Sequence, residues 1–147
     1  MRTLFALLIP CTLAACGANE QTGPDYSAQQ AQMAQLPAPY NEADYAAGRA
    51  VFAQCRSCHV IDPAGGGHRV GPNLHGVFGR KIGGAEGFNY SQAVQDADFT
   101  WAAAQLDHWL ANPRTFLPGN RMAFAGVQDE TQRRDVIAYL MVEAGAE

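Results

Sequence analysis

The sequence is short of positive charge, because its 147 residues include only one lysine, Lys81. The other basic residues are arginines, and 14 acidic side chains give a formal net charge of -4. This acidic balance gives no reason to expect a nucleic-acid partner. The composition is otherwise that of an ordinary globular protein with one domain, since 48% of the residues are hydrophobic.

The chain also lacks an apolar run long enough to cross a membrane. The stretch from Leu4 to Ile9 is too short for a transmembrane helix. With Arg2 before it, the stretch indicates a signal peptide over residues 1–15.

The end of this signal resembles a bacterial lipobox, with the sequence Leu13-Ala14-Ala15-Cys16-Gly17. The resemblance implies that Cys16 becomes the first mature residue and carries lipid. An ordinary secretory signal cleaved before Cys16 is the alternative. Either signal implies export, and we expect the periplasmic side of a bacterial membrane, with the inner membrane favoured over the outer.

Bulky apolar residues are scarce over residues 16–40, which are rich in Gln, Ala, Pro and Asn. Met33 and Leu36 are too few to bury a core, so the ordering entropy is not recovered. We therefore predict a lipidated N-terminus and flexible tether over residues 16–40, followed by a folded domain over residues 41–147. Fully stretched, such a tether would reach roughly 80 Å.

Strand patterns of useful length are absent, so the predicted class is all-α with long loops. A first helix is expected near Asn41 with Asp44 in its cap, and a last helix is expected to be capped by Asp129 and stopped by Gly145. Gly48 inside the first helix costs about 1 kcal/mol relative to alanine, which favours a close crossing with the last helix. Shorter helices are predicted after Ser91 and over residues 101–111.

The segment Cys55-Arg56-Ser57-Cys58-His59 has the attachment pattern of a c-type haem. Each thiol would form a thioether with a haem vinyl group, and His59 would hold the iron from one face. A zinc site would need a second ligand pair, which the chain does not contain, and a redox disulfide would need a βαβ context. The cysteines Cys11 and Cys16 belong to the signal and the lipobox, so no odd thiol is left over.

Several segments after the tether resemble class I cytochromes c of the mitochondrial and bacterial c2-like type. They are GRAVFAQCRSCH, GPNLHGVFGRKIG, GFNYSQA, NPRTFLPGNRMAF and RRDVIAYL. The resemblance implies four to five helices and long loops wrapped around one covalent haem, with the first and last helices crossing.

The resemblance also implies roles for single residues. Met122 matches the thioether ligand on the second face of the iron, and the Pro72 carbonyl matches the acceptor of the His59 N–H. Arg80, Tyr90 and Trp101 match residues that hold the haem propionates. Without the family resemblance, Met122 would be interpreted as a gap-filling methionine of the core and Pro72 as a turn proline. Tyr90 and Trp101 would be interpreted as core aromatics.

Other residues could compete with Met122 for the iron. Met33 lies in the predicted tether and Met141 on a helix face, so both fit less well. His75 and His108 are the remaining candidates. The resemblance implies that His75 does not bind the iron, because the family has this histidine without using it as a ligand, and we expect His108 to face solvent. His68 resembles a histidine that fastens one loop to another.

Two positions depart from the animal members of the family. Val94 stands where they have an asparagine in a buried water network, and Trp109 where they have a tyrosine beside the methionine. Both differences remove a hydrogen-bonding group near the expected iron, and this bears on the reduction potential rather than on the fold.

These patterns predict a monomeric single-electron carrier with one haem c, and not an enzyme. The resemblance implies a membrane donor such as a bc1-type complex and an acceptor such as a terminal oxidase or a reaction centre. Two alternatives stay open. One is a fixed haem subunit of an oxidase, and the other is a small haem peroxidase or gas-binding protein if Met122 does not ligate.

Overall fold

The computed structural model describes residues 23–64 and 66–145. Within these ranges the fold is all-α, as predicted, with no β-strand and only an isolated bridge between Lys81 and Thr100. None of the helices in the described ranges is long and apolar enough to cross a membrane. The helices are α1 Ser27–Met33, α2 Tyr45–Phe52, α3 Gln92–Asp96, α4 Ala103–Ala111, α5 Pro113–Phe116 and α6 Glu130–Glu143.

The framework of the domain is the crossing of α2 and α6, which make the most extensive contact between any two helices. Gly48 lies at the crossing, where an added Cβ would stand 2.8 Å from Tyr139 Cβ and 2.8 Å from the Asp135 carbonyl carbon. Ordinary carbon–carbon contacts are about 3.5–4.0 Å, so only glycine permits this approach. The predicted crossing is confirmed.

Side-chain caps set the ends of the two crossing helices. The Asp44 carboxylate accepts from the Ala47 N–H at 2.7 Å, so α2 begins at Tyr45. The expected start near Asn41 is wrong, because residues 40–42 form a separate 3₁₀ turn that extended backbone divides from α2. Asp129 caps α6 by accepting from the Gln132 N–H at 2.9 Å, as predicted.

Helix α6 buries two charged side chains, and both are hydrogen-bonded. Arg133 donates from Nε to Asp107 at 2.8 Å and from Nη1 to two backbone carbonyls at 3.0 Å. The Asp135 carboxylate accepts from the backbone N–H of Asp44 at 3.2 Å. This last bond fixes the start of α2 against α6. Because both charged side chains have hydrogen-bond partners, they avoid the free-energy cost of burying an unpaired charge.

The prediction of a flexible tether up to residue 40 is wrong for residues 26–40. Met33 is 0% exposed within the main core, and α1 packs on both α2 and α6. The Gln30 amide donates to the Ala43 carbonyl at 2.8 Å and accepts from the Tyr45 N–H at 2.8 Å. Few apolar residues suffice because α6 supplies an apolar surface and Gln30 satisfies backbone groups of the neighbouring segment.

The long loop before α3 is held by side-chain hydrogen bonds to backbone. His68 Nδ1 accepts from the Asn73 N–H at 3.0 Å, so its Nε2 carries the proton and donates to the Glu86 carbonyl at 2.7 Å. Asn73 in turn donates from Nδ2 to the Asp62 carbonyl at 2.9 Å. His68 therefore fastens two loop segments together, as the family resemblance implied.

Candidate haem-attachment site

The two predicted attachment cysteines lie on tight turns directly after α2. Helix α2 ends at Phe52, whose carbonyl accepts from the Cys55 N–H at 2.8 Å. The Cys55 carbonyl then accepts from the Cys58 N–H at 3.0 Å and from the His59 N–H at 2.8 Å. These bonds place both thiols and the imidazole within one helical turn.

Both cysteines are half-buried free thiols. Burial, reinforced by the neighbouring Cys58, raises the pKa of Cys55 to about 11. Neither thiol is in a disulfide, so both are available for thioether formation. The Cys-x-x-Cys pair is not a disulfide in this fold.

His59 is held in one tautomer. Its Nδ1 donates to the Pro72 carbonyl at 2.7 Å, so its Nε2 carries the lone pair. Burial is the main effect on the imidazole and lowers the pKa of His59, although the bond to Pro72 acts in the opposite direction. The neutral ring therefore presents a free Nε2, which is the form that binds a metal.

Gly71 completes the setting of the imidazole, although no role of its own was predicted for it. A Cβ at Gly71 would lie 2.7 Å from both ring nitrogens of His59, and the Gly71 N–H donates to the Cys58 carbonyl at 2.8 Å. Glycine is required here because backbone packs directly on the ring. Its position next to Pro72 was the only signal in the sequence.

Arg80 and Trp101 meet through their backbones, whereas Tyr90 approaches Arg80 through its side chain. The Trp101 N–H donates to the Arg80 carbonyl at 2.9 Å. Burial raises the pKa of Tyr90, while the hydrogen bond from the Ala85 N–H and the charge of Arg80 act against that rise. The Tyr90 hydroxyl accepts from the Ala85 N–H at 3.3 Å.

The Arg80 guanidinium is partly committed to the protein. It donates from Nη2 to the Asn73 carbonyl at 3.0 Å and from Nη1 to the His75 carbonyl at 3.1 Å. A guanidinium has five N–H donors, so the remaining ones are available to an anionic group. Of the three residues predicted to hold propionates, Arg80 therefore keeps N–H donors for a carboxylate.

Met122 lies half-buried on an irregular segment after α5. The chain reaches it through a tight turn at residues 117–120, where the Asn120 N–H donates to the Leu117 carbonyl at 3.2 Å and Gly119 has a φ of 85°. The competing ligands fit less well. His75 and His108 are exposed, Met33 is buried in the core with α1, and Met141 packs on the core from α6.

The two departures from the animal family occupy apolar surroundings. Val94 is buried on α3 with 7% of its surface exposed. The Trp109 ring lies 5.4 Å from the Trp101 ring and 5.9 Å from the Phe116 ring, edge to face in both cases. Trp109 therefore packs against two aromatic rings, those of Trp101 and Phe116.

Cys16 and the predicted signal peptide lie outside the described residues. Within those residues, the donor set fits haem c. Two free thiols and a neutral imidazole with a free Nε2 share one turn, and the bare backbone of Gly71 leaves room for the ring. The fold and this site together define a small helical protein that carries one covalently attached haem.

Comparisons with known proteins give the family. The cytochrome c family matches residues 45–142 of this chain. Cytochrome c of Chlamydomonas reinhardtii is 48% identical over 98 residues, which are 66% of this chain and 87% of that protein. Cytochrome c2 of Blastochloris viridis is 44% identical over 103 residues, 70% of this chain and 80% of that protein.

A solved structure agrees with these relatives. Cytochrome cH from Methylobacterium extorquens superposes with a TM-score of 0.62 at 42% identity, covering 67% of this chain and 97% of the other. The chain belongs to the cytochrome c family. It is a monohaem electron carrier with covalently bound haem c and iron, and Cys55 and Cys58 are positioned for the attachment.

Proposed function

We propose that the haem iron is held by His59 and Met122, and that the protein carries single electrons between complexes of a bacterial membrane. When bound, haem c supplies an iron that alternates between ferrous and ferric states. The observation that carries the ligand assignment is the His59 imidazole, fixed at Nδ1 by the Pro72 carbonyl with Nε2 left free. A carbonyl partner on the far nitrogen is the usual arrangement for a metal-binding histidine.

Elimination among the described residues supports Met122 as the second ligand. Met33 and Met141 pack in or on the core with α1 and α6, and both would have to leave those contacts to reach an iron. Among the described methionines, only Met122 lies on an irregular segment. The backbone of such a segment can adopt the conformation that ligation requires. Together, the Met122 thioether and the His59 imidazole would favour the reduced iron and raise the reduction potential.

With His59 and Met122 both holding it, the iron would keep no open position for a substrate, so we propose a carrier and not an enzyme. A peroxidase or gas-binding protein needs an open position on the iron. The relatives named cytochrome c and cytochrome c2 support the carrier.

The test of the ligand set is the weak charge-transfer band at the red end of the ferric spectrum, which methionine ligation produces. Met122→Ala should abolish the band and increase the affinity for added imidazole, because one axial position becomes open. Met141→Ala is the matched control and should keep the band. If the control loses the band and Met122→Ala keeps it, the assignment to Met122 is wrong.

We also propose that Cys16 anchors the domain by lipid on the periplasmic side of the membrane, the inner membrane being favoured. Because Tyr26 contacts the domain, only nine residues, 17–25, separate Cys16 from it. Even fully extended, this connection reaches about 35 Å. The haem would then serve partners near the same membrane surface.

The anchor can be tested by fractionation. Wild-type protein should require detergent for extraction. The Cys16→Ser variant, exported by means of an ordinary secretory signal, should be released by aqueous buffer. A Cys16→Ser protein that stays with membranes through a high-salt wash would contradict the lipid anchor, since salt removes only electrostatic attachment.

The proposed partners are a donor such as a bc1-type complex and an acceptor such as a terminal oxidase or reaction centre, with the carrier itself monomeric. Lys81 is the only lysine, but arginines lie exposed near the haem-binding segments. Arg69 donates from Nη1 to the Arg56 carbonyl at 2.7 Å, and Arg121 donates to the Asn89 carbonyl, so both are fixed in place. These side chains form a small positive rim on an acidic protein.

We expect the anchor rather than this rim to dominate encounter with partners. An anchor raises the effective concentration at the membrane, so strong electrostatic steering is less necessary. Electron transfer to a membrane oxidase should therefore depend weakly on salt, and anchored protein should outperform the Cys16→Ser form. A tenfold or larger fall in the stopped-flow rate between low and physiological salt would contradict this and favour steering by the rim.

Stoichiometric co-purification with an oxidase through detergent would instead favour a fixed subunit.

A further inference from the structure

We propose that Asn120 is the positioning residue that holds Met122 in the orientation required for binding the iron. The inference rests on the proposed ligation by Met122 and goes beyond it, because it names the side chain that shapes the ligand segment. Neither the composition nor the family resemblance gave Asn120 a role.

The segment before Met122 is a pair of linked turns. Pro118 and Gly119 occupy the centre of the first turn, which the Asn120 N–H closes by donating to the Leu117 carbonyl at 3.2 Å. Proline at the second position and a φ of 85° at Gly119 are the features of a type II turn. An alanine at Gly119 would also stand 3.2 Å from the Ala93 Cβ, so the glycine is needed twice.

Asn120 makes the second turn with its side chain. Its Oδ1 accepts from the Met122 N–H at 2.9 Å, which is an Asx-turn over Asn120, Arg121 and Met122. The direction of the Met122 backbone is therefore set by the amide oxygen of Asn120.

The amide nitrogen of the same side chain fixes both turns to the preceding helix. Nδ2 donates to the Leu117 carbonyl at 2.8 Å and to the Pro113 carbonyl at 2.8 Å. Pro113 is the first residue of α5 and is buried, so it is a firm point of attachment. Three of the four hydrogen bonds that an asparagine side chain can make are used on this one segment.

This arrangement divides the role of Asn120 into an acceptor part and a donor part. The acceptor part orients Met122, and the donor part ties that orientation to α5. Without the donors, the hydrogen bonds from this segment to the rest of the described protein are the Leu117 N–H bond to the Pro113 carbonyl at 3.1 Å, at the start of the turn, and the Arg121 bond to the Asn89 carbonyl. The population with the thioether away from the iron should then rise, because the bound conformation has lost its restraints while the free one has not.

The substitution Asn120→Asp separates the two parts. An aspartate has nearly the same shape and still accepts from the Met122 N–H, but it cannot donate and places negative charge against two carbonyl oxygens. Asn112→Asp is a matched control. The Asn112 side chain only accepts, from the Thr115 N–H at 3.0 Å at the start of α5, and aspartate performs this capping role equally well.

The readouts are the affinity of the ferric holoprotein for added imidazole and the midpoint of the reduction titration. Asn120→Asp should bind imidazole about tenfold more tightly than wild type, which corresponds to about 1.4 kcal/mol, and should have a lower reduction potential. Asn112→Asp should match wild type in both. If the two variants behave alike, Asn120 does not position Met122.

Met122→Ala distinguishes failure of this inference from failure of the ligand assignment. If Met122→Ala leaves imidazole affinity unchanged, Met122 is not a ligand and the inference falls with it. If Met122→Ala increases the affinity but Asn120→Asp does not, only the role of Asn120 is wrong. If Asn120→Asp does not yield holoprotein, hydrogen exchange of the Met122 backbone amide in the wild type tests the role of Asn120 instead. The Met122 N–H must be protected, and free exchange would overturn the inference.

Discussion

The close approach of α2 and α6 makes Gly48→Ala the most informative test of the fold. The added Cβ would stand 2.8 Å from both the Asp135 carbonyl carbon and the Tyr139 Cβ. Neither atom belongs to a flexible side-chain end, so relief requires the helices to separate by about 1 Å to restore an ordinary contact distance.

The magnitude follows from two opposing effects. Overpacking costs about 1–3 kcal/mol, and rigid backbone at the contact places this site at the upper end. Alanine recovers about 1 kcal/mol in helix propensity. We therefore expect a net loss of about 2 kcal/mol in the free energy of unfolding, or roughly 8 °C in Tm for a domain of this size.

Thermal and urea unfolding of the holoprotein, followed by far-ultraviolet circular dichroism, would measure the loss. Gly23→Ala is the control, because an added Cβ there has no neighbour within 4 Å. If Gly48→Ala is as stable as wild type or more so, helix propensity outweighs packing and the crossing is looser than described.

Three further predictions concern contacts outside the crossing. A chain that begins at Asn41 should be at least about 2 kcal/mol less stable to urea unfolding than the full chain, because the fully buried Met33 side chain is removed. If the two chains are equally stable, α1 contributes nothing to stability. Tyr45→Phe should cost about 0.5–1.5 kcal/mol by removing the 2.8 Å bond to Glu143. Burial and Glu143 raise the pKa of Tyr45 above its unfolded value. In urea melts, the wild type should therefore lose stability above about pH 10 more steeply than Tyr45→Phe does. Parallel pH profiles of the two proteins would refute this. His68→Ala should cost about 1–3 kcal/mol, since two loop backbone groups lose their partner, and unchanged amide exchange in both loops would contradict it.

The parts of the fold that the sequence predicted are those specified by local chemistry. The capping side chain of Asp129 lies next to the helix that it starts, and the thiol spacing at Cys55 and Cys58 lies within one turn. Gly48 predicted a contact with a distant helix because a glycine inside a helix is costly without such a contact.

The packing of α1 could not be predicted in this way. Its own residues are mostly small or polar, and Met33 alone gives no helical stripe. Helix α1 packs mainly on α6, which lies about 100 residues later in the chain. Gln30 bonds to backbone groups whose positions depend on where α2 begins, and the sequence placed that start too early.

The role proposed for Asn120 was hidden for a related reason. An asparagine two residues before a methionine is a recognisable Asx-turn pattern, but the pattern gives only the bond to the Met122 N–H. The donors to Pro113 and Leu117 depend on the return of the chain past α5, which only the folded structure shows.

We propose that this chain carries one electron on one haem whose iron has both axial positions filled. A reduction titration followed by visible absorption, run with and without carbon monoxide, tests it most directly. We expect a single reversible one-electron transition whose midpoint potential is the same with and without carbon monoxide. More than one transition, or a midpoint raised by carbon monoxide because the gas binds the reduced iron, would contradict it.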